Sequence, residues 1–67
     1  MRISINGTEH AVAPRTTLAE LLSAHAAGGG RGVAVALDGE VVPRARHAGT
    51  PLHEGAQVEI VTAVQGG

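Results

Sequence analysis

Reactive side chains are scarce in this sequence. It has no cysteine and no lysine, which excludes thiolate nucleophiles and Schiff-base amines. Four histidines stand at positions 10, 25, 47 and 53, and no two are three or four apart on a plausible helix, so the spacing does not suit a structural metal site. Ser4 and Ser23 have no nucleophile-elbow context. His47 and His53 read as surface residues of an irregular segment, and Asp38, just before Gly39, reads as a turn residue rather than an acid–base group. The cluster Gly28-Gly29-Gly30-Arg31-Gly32 has the composition of a phosphate loop but the wrong context. Nucleotide loops run from strand to helix, and this one runs from helix to strand in a chain without the lysine of a Walker motif. It reads as a flexible connector. A domain of 67 residues also cannot easily enclose a pocket of several hundred cubic ångströms, so the chain itself is not expected to be an enzyme.

The end of the chain, Val64-Gln65-Gly66-Gly67, is different in kind. Extended, these residues span at most ~13–14 Å, enough to reach from a docked body into a narrow cleft of another protein. Paired glycines allow close approach of backbone to a ligand and passage through a constriction. Ordering them costs about 1–2 kcal/mol each, so affinity has to come from the folded body while Val64, Gln65 and Gly66 thread the tip. The group delivered is the α-carboxylate of Gly67, ionised at neutral pH with an ordinary pKa of ~3.3–3.7. A carboxylate resists nucleophiles, but it can attack the α-phosphate of ATP and become an acyl-adenylate open to amine, thiol or sulfide. The other reading is an ordinary frayed terminus.

The elements that would present this end follow from patterning. Arg2 to Gly7 alternates, with Ile3 and Ile5 on one face, and Asn6-Gly7 is a two-residue hairpin signal. Thr8 to Val12 returns as a strand closed off by Pro14. Thr17-Leu18-Ala19-Glu20 is a capping box, and Leu18, Leu21, Leu22 and His25 follow at helical spacing until Gly28. Val33 to Leu37 is a third strand, Asp38-Gly39 a second hairpin turn, and Glu40 to Val42 a return that Pro43 stops or confines to a sheet edge. Residues 44–56 read as irregular, with turns at Thr50-Pro51 and Glu54-Gly55 and Leu52 as a buried plug. Gln57 to Ala63 is the last strand, with Val58 and Ile60 facing the leucine helix. Phe, Tyr and Trp are absent, so the core is aliphatic.

One apolar helical stripe can cover only one face of a sheet, which makes the fold class α+β. Pairing the first and last strands in the middle gives a ubiquitin-like β-grasp, a mixed sheet of about five strands with one helix on one face. The domain runs over residues 1–63, and 64–67 form a flexible tail. On the uncovered face Val61 and Ala63 are joined by Ala34 and Ala36 or by Val33 and Val35, a flat apolar surface suited to docking. Arg44 and Arg46, after Pro43, are exposed and either pair with nearby glutamates or meet an acidic patch on a partner. Five arginines against six acidic residues leave a net charge of −1, with no basic footprint for nucleic acid and no aromatic stacking platform. No apolar run approaches membrane-spanning length and no signal peptide opens the chain, so the expected compartment is the cytoplasm.

The segments "VAVALDGEVVPR" (Val33 to Arg44), "TPLHEGAQVEIV" (Thr50 to Val61) and "EIVTAVQGG" (Glu59 to Gly67) closely resemble the ThiS family of thiamin-biosynthesis sulfur carriers. The opening Asn-Gly hairpin and the Thr17 to Leu22 helix start are similar as well. Asp38 stands where that family more often has Asn; both suit the turn, so the difference carries no functional weight. The resemblance implies a protein co-substrate rather than an enzyme. Gly67 would be adenylated by a ThiF-like partner using ATP and magnesium, the carrier binding no cofactor itself. Sulfur relayed as persulfide from a cysteine desulfurase would replace AMP to give a C-terminal thiocarboxylate. A ThiG-like thiazole synthase would take that sulfur. The alternatives are the related carrier for molybdopterin synthesis, a carrier for another natural product, and a non-reactive β-grasp adaptor.

Overall fold

Alternating isoleucines begin the fold. Ile3 and Ile5 of β1 (Arg2–Ile5) are buried, and the strand turns back through Asn6 (φ 50°) and Gly7 (φ 84°) into β2 (Thr8–Ala11). Positive φ at both central residues is the twist a two-residue hairpin needs. The ammonium of Met1 donates to the Val12 carbonyl at 2.7 Å and Val12 N–H to the Met1 carbonyl at 2.9 Å, so pairing continues one residue beyond each strand. The computed structural model describes residues 1–25 and 33–62. The expected helix stop at Gly28, the connector Gly28–Gly32 and the residues from Ala63 to Gly67 lie outside them, as does the 63/64 boundary of the tail.

Helix α1 (Leu18–His25) starts at the predicted capping box: Thr17 N–H donates to Glu20 Oε1 at 2.9 Å and Glu20 N–H to Thr17 Oγ1 at 3.2 Å. Two amides that no helical carbonyl can reach are thereby satisfied, which fixes where the helix begins. Leu18, Leu21 and Leu22 are fully buried against β1, β3 (Val33–Leu37) and β5 (Gln57–Thr62), with β4 (Glu40–Val41) at the margin. Each such side chain stabilises the fold by about 1.5–3 kcal/mol relative to exposure. The five strands lie in the order β2-β1-β5-β3-β4, with β1 and β5 parallel in the centre and the other pairings antiparallel. This is the expected β-grasp arrangement.

The segment read as irregular holds a 3-10 helix, Arg44–Gly49. His47 on it is 7% exposed, with Nε2 2.9 Å from the Val42 carbonyl. The surface reading of His47 is therefore corrected. Pro43 ends the edge strand and the short helix turns His47 beneath it, where its ring nitrogen donates to a carbonyl left without a strand partner. Leu52 is buried as predicted, held by Leu52 N–H to Thr16 O and Leu18 N–H to Thr50 O, both 2.9 Å. Among the described residues, no helix is long and apolar enough to cross a membrane, and no three His, Asp or Glu side chains gather as a metal site.

Candidate functional site

The candidate site is the open face of the sheet toward the described end of β5, at Thr62. Along β5, Val58 is buried and Ile60 packs against the core, while Glu59 and Val61 face out. Val61 is 61% exposed. Register then decides which neighbours share its face: Val61 lies opposite Ala34, Glu59 opposite Ala36, and Ala36 opposite Val41. Ala34 and Ala36 join Val61 on the open face, whereas Val35 is buried and Val33 packs on the core. Val41, 70% exposed, extends the strip to the sheet edge and was not anticipated. Its signal was present, since the position after a two-residue turn fixes cross-strand register.

Arg44 and Arg46 follow β4 on the 3-10 helix, and Arg46 shares a shallow depression with Leu37, Glu40, Val41 and Thr50 at the β4 edge of the sheet. Val42 N–H donates to the Val35 carbonyl at 2.9 Å, and Val35 lies opposite Ile60, so β4 and β5 run in the same direction on either side of β3. Arg46 N–H to Pro43 O at 2.8 Å and Thr50 Oγ1 to Arg46 O at 2.7 Å fix the backbone there. Both arginines are exposed, and neither guanidinium forms an ion pair among the described residues. Ala63, Val64, Gln65, Gly66 and Gly67 lie outside the described residues.

Both hairpin turns reach β5. Asn6 Nδ2 donates to the Ile60 carbonyl at 3.2 Å while Ile60 N–H donates to Asn6 Oδ1 at 2.8 Å. At the start of the strand, Gln57 N–H donates to Asp38 Oδ1 at 3.0 Å, and Asp38 Oδ2 lies 2.6 Å from His53 Nε2. His53 Nδ1 is 2.9 Å from the Glu54 carbonyl, so both ring nitrogens face acceptors and the imidazolium is the form that satisfies them. The hydrogen bond from His53, then that from Gln57 N–H, holds the Asp38 carboxyl below its ordinary range. The hydrogen bond to Asp38, then that to the Glu54 carbonyl, raises the His53 pKa. Asp38 and His53 thus do more than occupy a turn and a surface. They latch the second hairpin to the segment entering β5.

Elsewhere, an open depression of about 520 Å³ lies between the β2–α1 connection and the helix, walled by Val12, Pro14, Leu21 and Ala24. Glu20, on its rim, is committed to the helix cap.

The sequence model of the ThiS family matches residues 3–67. The chain is similar to the crystal structure of the thiamine biosynthesis protein ThiS from Geobacter metallireducens, at 33% identity and a TM-score of 0.84, with all of both chains covered. It is also similar to the NMR solution structure of a thiamine biosynthesis protein from the same organism, at 34% identity and a TM-score of 0.79, covering 100% of this chain and 88% of that one. A comparison with curated proteins gives no match. The chain belongs to the ThiS family, and its five-stranded sheet with one covering helix is the family's β-grasp fold.

Proposed function

We propose that the protein is a sulfur carrier for thiazole formation in thiamin biosynthesis, and that the carboxylate of Gly67 is its working group. The observation that carries this reading is the family match, which runs through the final Gly67 rather than stopping at the body. The body over residues 1–63 docks, and Val64, Gln65 and Gly66 lead the terminus into a partner's active site. Val61 and Ala63 with Arg44 and Arg46 form the docking surface, supported by the exposure of Val61 and both arginines. A ThiF-like enzyme activates the carboxylate with ATP and magnesium: a carboxylate oxygen bonds to the α-phosphorus and pyrophosphate leaves. The terminal sulfur of a persulfide supplied through a cysteine desulfurase then bonds to the acyl carbon as AMP leaves. A second thiol cleaves the resulting acyl disulfide to release the thiocarboxylate and is itself oxidised to a disulfide, and a ThiG-like synthase consumes the thiocarboxylate. The protein acts as co-substrate and not as catalyst, and the compartment in this reading is the cytoplasm.

The test is intact-mass measurement after incubation with ATP, the adenylating partner and a sulfur source. The expected gain equals exchange of one oxygen for sulfur, and it disappears when Gly67 is deleted or one residue is added beyond it. An unchanged mass with competent partners sinks the reading. Loss of the gene should be rescued by supplied thiazole; failure of that rescue argues against the thiamin pathway.

A further inference from the structure

We infer that Asn6 stands in for a missing strand residue, fixing the last two-sided point of β5 and thereby the aim of the Gly67 terminus; the second half of this inference rests on the carrier reading above. The backbone of β1 pairs with β5 only as far as Ile5 opposite Val58, with Asn6 N–H donating to the Val58 carbonyl at 2.8 Å. There the chain turns away into β2, and no β1 backbone is left beside Ile60. Ile60 N–H and C=O both meet the Asn6 side chain, at 2.8 and 3.2 Å, so both point toward the β1 side and away from β3. A carboxamide donates and accepts at once, as a peptide group does. Asparagine therefore continues the ladder by one rung after the backbone has left.

The chemistry selects this residue twice. The turn needs positive φ, which Asn tolerates, and the clamp needs a short side chain carrying both a donor and an acceptor. The clamp is exposed and joins residues 54 apart in the chain, while Val58 below it is already buried. Its position suits control of the strand end rather than of the core. Ile60 is two residues before Thr62, where the described part of β5 ends. Each residue released at the base adds ~3.3–3.6 Å of loose contour to the arm. Three more residues on a four-residue arm lower the effective concentration of the terminus in a partner's site by about twofold, before any loss of orientation.

The test compares wild type with Asn6→Gly, which keeps the turn conformation and removes the clamp, and with Asn6→Asp, which keeps only the acceptor. Hydrogen exchange should accelerate about tenfold or more at the Ile60 amide in Asn6→Gly, with Val35 unchanged and Asn6→Asp intermediate. Adenylation followed by pyrophosphate release should show kcat lower by about two- to tenfold for Asn6→Gly, with KM for the carrier within about twofold of wild type. Unchanged exchange at Ile60 overturns the clamp. Faster exchange with unchanged kcat, or a loss confined to KM, overturns the positioning role. Wild-type protein that a competent partner fails to adenylate overturns the carrier reading and the positioning role with it, while exchange at Ile60 still decides the clamp.

Discussion

The two hairpin turns have nearly the same backbone and different chemistry. Asn6-Gly7 has φ of 50° and 84°, and Asp38-Gly39 has 52° and 86°. Each first residue sends its side chain to β5, one near the strand's end and the other at its start. The neutral amide of Asn6 answers both an N–H and a C=O and has no need of a third group. The carboxylate of Asp38 can only accept, so it takes the Gln57 N–H and then holds a cation, His53. The same turn thus gives a pH-insensitive clamp near the exit of β5 and a pH-sensitive latch at its entry. An exchange of Asn for Asp that is neutral for turn geometry is not neutral for what the side chain holds.

The largest effect should come from what the turns share. A Cβ at Gly7 or Gly39 would meet no atom within 4 Å, so the positive φ is what makes substitution costly there. Gly7→Val and Gly39→Val should each lose about 2 kcal/mol in urea unfolding, and by similar amounts. A clearly unequal pair would break the equivalence of the two turns. Asn6→Asp should cost about 1 kcal/mol at neutral pH, because it sets a carboxylate against the Ile60 carbonyl, and less in acid, where a protonated acid can donate. A cost independent of pH would show that the amide's donor is not used.

The smallest effect should be Asp38→Asn, which keeps the turn and an acceptor for Gln57 but removes the charge facing His53. His53 titrates above its ordinary 6.5, so its contribution is complete below that value and is lost as pH rises through the raised pKa. Asp38 titrates below its ordinary 3.8, so its contribution is present above that value and is lost as pH falls through the lowered pKa. Wild type should therefore exceed Asp38→Asn most between pH 3.8 and 6.5, with the difference fading toward alkaline pH. Both side chains are well exposed, so screening keeps the effect small and high salt should reduce it further. Thermal melts across that range provide the check, and a difference that grows above pH 8 would contradict the latch.

Much of the fold was legible because its signals are local. Asn6-Gly7 and Asp38-Gly39 mark their turns by backbone preference, and Thr17 with Glu20 marks a helix start through contacts three residues apart. Ile3 and Ile5 show their face by alternation. The segment 44–56 was harder. Its 3-10 helix is too short to show a period, and His47 is inside only because the helix, β4 and Val42 converge on it. The candidate site divided the same way. The exposure of Arg44, Arg46 and Val61 was readable from Pro43 and from the phase of β5, but alternation left open whether Ala34 and Ala36 or Val33 and Val35 lie beside Val61.

The sequence by itself determined the order of the strands and the α-helix, the aliphatic core, the family likeness and the lack of thiol and lysine side chains. Those properties reside in residue types and short spacings. Tertiary structure decided which small residues share a face with Val61 and that Val41 completes the strip. It also decided that Asn6 meets Ile60 and that Asp38 meets His53, 54 and 15 residues away. Such contacts leave no periodic trace, because their partners are chosen by strand register and sheet order and not by any preference of the residues along the chain.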